Sequence, residues 1–354
     1  MCPAPRNQYL NRENHMTDYT DIIKQHLYQA FPWTPSTPPT RFEAVSRAFI
    51  GTKQRRLGPV PSPETQVVIR DVLRKAEDAA ALDGAGVPHV EVFVPWASVK
   101  QDPQRGLDAL EVSALKQLAC LSEEVHSYGW SVRFNFRLED VSDLYLLGVS
   151  RGPEVEEYSR GFRELVKVVL PGSVVRSEGE RVGYREFEKV ADGYVNPFLR
   201  HLKSPSEETA ASLADIGWVG GLSEEQVNHY RRAYAGLGYY QEEIDRNVAR
   251  FFAGTRARAH LGATLEPTGP FVKVAFTHPI PGNPGHHPRI YYRTLPERYG
   301  HTHVAPWLGR GYYVISSDGD VSPRAVKPGE KLTVHNNPIV WNGVRLQADY
   351  VLAD

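Results

Sequence analysis

Between residues 89 and 176 the chain alternates short strand-like runs with longer helical patterns, and this alternation restricts its fold more than any other feature. Residues 89–95 and 131–138 read as strands, with a fourth candidate at 173–176. In the second run Val132, Phe134, Phe136 and Leu138 fall on one face, with Ser131, Arg133, Asn135 and Arg137 on the other. Residues 107–125 and 154–170 carry apolar positions at helical spacing. Residues 44–50 are expected to be the first strand. A helix then starts at Ser62–Pro63, presents Val67, Val68, Val72, Leu73 and Ala76, and stops at Gly84 and Gly86. Strands 44–50, 89–95 and 131–138 should therefore be parallel neighbours joined by right-handed crossovers.

The expected class is α/β: a Rossmann-like parallel sheet with flanking helices, a helical middle segment and a β-rich C-terminal third. Residues 1–40 read as an N-terminal arm and linker, with a polar lead-in at 1–16, a short amphipathic helix at 18–30, and four prolines within 31–40. Residues 41–354 are expected to form a single α/β catalytic domain with a helical insertion at about 200–255. Ser204–Pro205 and Ser223 to Gln226 mark helix starts there. Runs at 271–276, 312–315 and 344–351 supply the later strands.

A formal net charge of -1 gives no reason to expect a nucleic acid or an anionic membrane as partner. No apolar run approaches the roughly 18 residues that span a bilayer, and the N-terminus lacks an apolar signal core, so a cytoplasmic protein is expected. Cys2 and Cys120 lie far apart, and Cys120, on a helix, reads as a buried residue rather than half of a disulfide. No GxGxxG, Walker or GxSxG motif occurs, which leaves NAD, P-loop and α/β-hydrolase chemistry unsupported, and no cofactor is expected. Histidines gather at 278, 286–287, 301 and 303 without metal-ligand spacing, so no metal is expected either.

Ligands of open parallel sheets sit beyond the strand carboxyl ends, which selects three loops. The first carries Lys53, Arg55 and Arg56 just before a helix N-terminus and suits a phosphate, or is a solvated basic loop. The second carries Trp96 and Lys100, as a substrate clamp or as an ordinary surface lysine. The third gathers Arg137, Glu139, Asp140 and Asp143. Crowded carboxylates raise one another's pKa, as proton transfer near neutral pH requires, although Asp140 or Ser142 could instead cap a helix.

In order along the chain these segments resemble the isocyanide (isonitrile) synthase family, which includes bacterial tyrosine and tryptophan isonitrile synthases and the yeast spore-wall dityrosine enzyme. The family follows a strand with a proline, an aromatic and, five positions after the proline, a lysine, as Pro95, Trp96 and Lys100 do here. GLDALEVSALKQLACL is similar to the family's next helix. Ser142-Asp143-Leu144, Gly148-Val149 and EVEEYSRGFRELV are similar to its acidic loop and the segment after it. VKVAFTH with His278, Pro306-Trp307 and Asp318-Gly319 resemble later elements. The chain departs from the pattern at Leu138-Glu139-Asp140, in two extra residues before Gly148, and at Leu308, where the family has histidine.

The resemblance implies an enzyme that condenses an amino acid's α-amine with the keto carbon of ribulose 5-phosphate, one sugar carbon ending as the isonitrile. It implies cations for the sugar phosphate, for which Lys53, Arg55 and Arg56 are candidates, and one for the α-carboxylate, Arg137 or Arg293. Lys100, Asp143 and His278 are the candidate proton shuttles, with Lys100 and Asp143 expected to face one pocket. Glu139, Asp140 and His303 complete the candidate substrate contacts, and an aromatic substrate could stack on Trp96 or Trp307. Another amino-acid-processing transferase on the same sheet, or an inactive binding relative, are the competing readings. A homodimer stays open.

Overall fold

The computed structural model describes residues 19–31, 40–51, 53, 55–84, 86–100, 106–218, 222–236, 239–277, 288–299, 305–327 and 330–353. Strands β1 (His89–Trp96), β2 (Ser131–Leu138), β3 (Val174–Ser177), β4 (Phe271–Ala275) and β5 (Arg289–Tyr291) form a five-stranded sheet in the order β3-β2-β1-β4-β5. All four pairings are parallel, and β1 and β2 run in register from His89 opposite Ser131 to Trp96 opposite Leu138. The fold class is α/β, as the alternation requires.

One face of this sheet is apolar. Val90, Val92, Val94 and Trp96 of β1, Phe134 and Phe136 of β2, and Val272 and Val274 of β4 share one core with four helices. These are α2 (Arg41–Ile50), α3 (Pro63–Leu82), α4 (Ala109–Ser127) and α6 (Gly152–Val169). α1 (Tyr19–Tyr28) joins the same core through Ile23 and Leu27, and its Tyr28 hydroxyl donates to Asn342 Oδ1 at 2.9 Å. Ser62 accepts from the Thr65 N–H at the start of α3, and Gly84, with φ 69°, follows its last residues as expected. In that helix Ile69 rather than the exposed Val67 faces the core.

Two expectations about element boundaries are corrected. Residues 44–50 are not a strand but lie within α2, so the sheet begins with β1. Thr40 accepts the Glu43 N–H at 3.1 Å and starts a helix whose buried Ala44, Val45, Ala48 and Phe49 recur at helical spacing. The helical layer also begins before residue 200, with α7 (Tyr184–Lys203), and continues through α8 (Glu207–Asp215), α9 (Glu224–Gly236) and α10 (Gln241–His260). It has a core of its own around Phe198, Leu213, Val248 and Phe252. α5 (Asp140–Leu147) joins it to the end of β2 through a second small core, Tyr145 with Phe187 and Ala257.

The C-terminal third holds β6 (Gly311–Ile315), β7 (Val321–Ala325) and β10 (Tyr350–Leu352) in one small sheet, and the β8 (Pro338–Trp341) and β9 (Val344–Gln347) hairpin. The strand expected at 344–351 is thus divided between β9 and β10. Tyr313, Ile315, Trp341 and Leu346 enter the main core, so α4 is enclosed nearly all round. The first residue of β6 touches the start of that helix. A Cβ at Gly311 would meet Asp108 Oδ1 at 2.5 Å and the Leu110 nitrogen at 2.7 Å, contacts no side chain accepts. Gly311→Ala is therefore expected to destabilise the protein by about 1–3 kcal/mol in denaturant titration; an unchanged midpoint would show that β6 and α4 are not held this closely.

Candidate active site

The second face of the parallel sheet is polar, which is unusual where both faces of parallel strands are ordinarily covered by apolar layers. Asn135 and Lys273 lie opposite Phe93 and Arg289 lies opposite Lys273, in one row with two cations, and Arg137, opposite Pro95, adds a third in the next row of the same face. The connection from α10 to β4 and the helical layer meet this face through charged groups. Arg137 lies near the carboxyl end of β2, where the sheet's topology places ligands, Lys273 midway along β4 and Arg289 at the first residue of β5.

At the centre is a ring of alternating charge. Arg137, buried near the end of β2, donates to Glu139 and to the Thr264 carbonyl at 3.2 Å, and its guanidinium carbon lies 5.4 Å from the centre of the Phe93 ring. Arg258 reaches in from α10, donates to Glu178 and to Ser142 Oγ at 2.7 Å, and approaches Glu139 at 3.4 Å. The other oxygen of Glu178 accepts the Ser142 N–H at 3.0 Å and its hydroxyl at 2.6 Å. Burial opposes the charge on Glu139, but Arg258 and Arg137 hold its pKa down to about 2.

Two groups beside this ring are pushed in opposite directions. Burial, reinforced by Glu139, raises the Asp143 carboxyl well above the ordinary carboxylate range, although Ser98 donates its N–H to Asp143 at 2.6 Å. Burial and the neighbouring Arg289 and Arg137 pull the Lys273 ammonium down to about 8, against its 2.7 Å pairing with Glu266. A carboxyl shifted up by burial and an amine shifted down to about 8, beside one ring of charges, are the kinds of group that general acid–base catalysis uses. Tyr230 and Tyr234, one turn apart on α9, also face these charges, Tyr230 near Arg289 and Glu139, and Tyr234 near Asp143.

Lys100 does not join them. Its ammonium is buried against Asp108 at 2.9 Å, Glu111 at 3.0 Å, and the carbonyls of Pro306 at 2.7 Å and Gly309 at 3.2 Å. Asp143 binds the loop two residues earlier at Ser98, so the two expected shuttles share a loop but no partner. Trp96 is likewise wholly buried; its ring stacks on Phe162 at 4.5 Å and its N–H donates to Tyr158 at 3.1 Å, leaving no face for a substrate. Tyr158 in turn donates to Glu111 at 3.0 Å, closing a buried chain from Trp96 to Lys100. Burial, with Asp108 adding to it, raises Glu111 to about 8 although Lys100 opposes the shift. Trp307 is half-buried, 5.4 Å from Trp96.

The basic loop is elsewhere and largely occupied. Because residues 44–50 are helical, Lys53, Arg55 and Arg56 do not follow a strand of the sheet; Arg56 instead bridges Tyr292 antiparallel, beside the outer edge of β5. Arg55 is buried in an ion pair with Glu124 at 2.8 Å, beside Cys120. Lys53 is exposed and 3.3 Å from Glu297, while Arg56 donates to the carbonyls of Gly51 and Gly58. Arg293 donates to the Arg56 carbonyl at 2.8 Å. Asp140 accepts from the Ser177 hydroxyl and the Gly179 N–H, fastening α5 to the end of β3 instead of capping its own helix. His278 and His303 lie outside the described residues.

With that geometry in place, comparison with known proteins bears on the fold. The fold resembles that of PvcA from Pseudomonas aeruginosa. The likeness has a TM-score of 0.58 at 15% identity and covers 88% of this chain and 100% of that one. A Leishmania major tyrosyl-tRNA synthetase in complex with tyrosinol aligns at TM-score 0.26 and 12% identity, over 64% of this chain and 29% of that one. A tryptophanyl-tRNA synthetase from Aeropyrum pernix aligns at 0.25 and 11%, over 61% and 50%. No protein-family model and no curated protein sequence matches the chain. Among the described residues no helix is long and apolar enough to cross a membrane, and no cluster of His, Cys, Asp and Glu could hold a metal ion.

Lys273, Arg258, Glu178 and Arg289 were not among the candidates read from sequence. Lys273 had a signal: it is a lysine inside the otherwise apolar run FVKVAF. The other three are brought in by chain crossings that no local pattern announces.

Proposed function

We propose that this protein is an enzyme of isocyanide synthase type. It condenses an amino acid's α-amine with the keto carbon of ribulose 5-phosphate, and fragmentation of the sugar leaves that carbon as the isonitrile. The observation that carries the reading is the ring of charges on the polar face of the sheet, with Asp143 raised well above the carboxylate range by burial and Glu139, and Lys273 lowered to about 8 by burial and Arg289. Forming an imine from an amine and a ketone expels water and needs a proton donor; the later carbon–carbon cleavage needs a base. Asp143 supplies the first proton and Lys273, in its neutral form, takes up the second. Ordered motifs similar to those of the family, from VPWASVK through SDL to APW, support the choice of this reaction over other acid–base chemistry.

In this reading Lys100 is a positioning residue. It ties the carbonyls of Pro306 and Gly309 to the start of α4 and so fixes the segment that carries Trp307, which remains the candidate platform for an aromatic substrate. His278, three positions beyond β4 in the chain, is a further proton carrier in the proposal. His278→Ala should lower turnover by roughly two to four orders of magnitude with the melting temperature nearly unchanged. Wild-type activity per folded molecule with a lowered melting temperature would make it a structural histidine. The reaction itself is tested by incubating the protein with single amino acids and ribulose 5-phosphate and searching for the isonitrile by mass spectrometry. A product with one amino acid, absent when the sugar phosphate is omitted, supports the proposal; another amino-acid transfer with an aminoacyl or adenosyl donor would replace it.

A further inference from the structure

The cations of the cleft are unevenly satisfied within the protein. Arg137, Arg258, Lys273 and Arg289 gather on Glu139, Glu178, Glu266 and Asp143, and burial with the nearby Glu139 disfavours the charged form of Asp143. Arg258 is satisfied by Glu178, Ser142 and Glu139. The unsatisfied donors lie on the sheet. Arg289, half-buried on β5, has no hydrogen bond or ion pair among the described residues. The Nε–H of Arg137, on a side chain 6% exposed, makes no hydrogen bond among them either, its nearest carboxylate oxygen being Glu178 Oε1 at 4.0 Å. A buried donor left unmade costs free energy unless a ligand completes it.

Register aligns these groups. Lys273 is directly opposite Arg289, and both Lys273 and Arg137 project over one aromatic ring, at 5.2 Å and 5.4 Å from the centre of Phe93. Adjacent strands stand about 4.8 Å apart, so Lys273 and Arg289 on neighbouring strands can share one anion, while Arg137, two strands from Lys273, approaches it across the Phe93 ring. We propose that Arg289, Lys273 and the Nε–H of Arg137 form an anion subsite that holds the phosphate of the phosphorylated sugar substrate. The identity of the sugar rests on the proposed function; the anion does not. A phosphate dianion suits converging cations better than a monovalent carboxylate, and an arginine fork beside a lysine supplies donors in several directions. The basic loop fits less well, since Arg55 and Lys53 have carboxylate partners and Arg56 is bound to carbonyls.

The experiment is calorimetric titration of the full chain with inorganic phosphate and with ribulose 5-phosphate, no amino acid being present. Both should bind and compete. Arg289→Gln should weaken both by at least about tenfold, Arg289→Lys should recover part of the loss, and Lys53→Gln should change nothing. A second readout needs no variant. The groups facing Lys273 are Glu266 from the α10–β4 connection, Arg289 from β5 and Arg137 with Glu139 from β2. With the Lys273 ammonium near 8, its charged fraction falls about tenfold between pH 7 and pH 9, and wild-type phosphate affinity should fall with it. Phosphate binding that is absent, unaffected by Arg289→Gln and pH, or lost in Lys53→Gln overturns the subsite, and so does an amino acid that competes with phosphate. Phosphate bound as described without any isonitrile product would leave the subsite standing and remove the proposed reaction. Isonitrile formed by Arg289→Gln at an unchanged KM for the sugar phosphate would do the reverse.

Discussion

Asp143→Asn is expected to lower turnover by about two to four orders of magnitude while leaving the protein at least as stable as the wild type at neutral pH. The two halves of that result come from one cause. Burial and the nearby Glu139 raise the folded-state pKa of Asp143 above its ordinary 3.8. A carboxyl raised in this way favours the folded state fully below the ordinary value, and that contribution is lost as pH climbs toward the raised one. At neutral pH the wild type therefore carries a strained titratable group, which asparagine removes; its side-chain oxygen still accepts the Ser98 N–H. Stability curves against pH for both proteins should converge at low pH and separate above it, with the variant higher. A variant that is less stable at neutral pH, or one that keeps wild-type turnover, would show that Asp143 is an anchor for the loop after β1 and not a proton donor.

The largest loss of stability is expected from Lys100→Met, about 3–5 kcal/mol by denaturant titration. Removing this ammonium leaves Asp108 and Glu111 buried side by side, and strips the Pro306 and Gly309 carbonyls of their donor. Burial alone would discharge the lysine; Asp108 and Glu111 outweigh it and raise its pKa above 10.5. The cation is therefore present throughout the neutral range and its contribution fades only as pH rises beyond that value. Adding Glu111→Gln to Lys100→Met should recover at least about 1 kcal/mol by removing one of the two stranded carboxylates. A cost below about 1 kcal/mol for the single variant would mean that the lysine is not needed to pair them.

The alternation in 89–176 was sufficient to read β1, α4, β2, α6 and β3, because long amphipathic helices and short apolar runs differ in period. Residues 44–50 misled for the opposite reason. A seven-residue run with valine, phenylalanine and isoleucine suits strand and helix alike, and Thr40-Arg-Phe-Glu43, a capping signature, was the feature that distinguished them. The alternation Ser131, Arg133, Asn135, Arg137 was visible as a pattern, yet its meaning depended on the strand being internal and parallel, where a polar face marks a cleft. Asp143, Arg137 and Glu139 were legible as candidates because they crowd one loop. Lys100 was found too, but sequence could not show that it turns inward to α4, since Asp108 and Glu111 capture it. Lys273, Arg289 and Arg258 become neighbours of that loop only after the helical layer returns the chain to β4 beside β1.

The central claim is that the cleft makes an isonitrile from an amino acid and ribulose 5-phosphate. Its most direct measurement is isotopic: the protein is incubated with a panel of amino acids and ribulose 5-phosphate carrying carbon-13 at the keto position, and products are followed by mass spectrometry and carbon NMR. The account predicts one amino acid converted to its isonitrile with the label in the isonitrile carbon, and no labelled product from Asp143→Asn beyond a trace. Folded wild-type protein that binds ribulose 5-phosphate but yields no labelled isonitrile with any amino acid of the panel would contradict it.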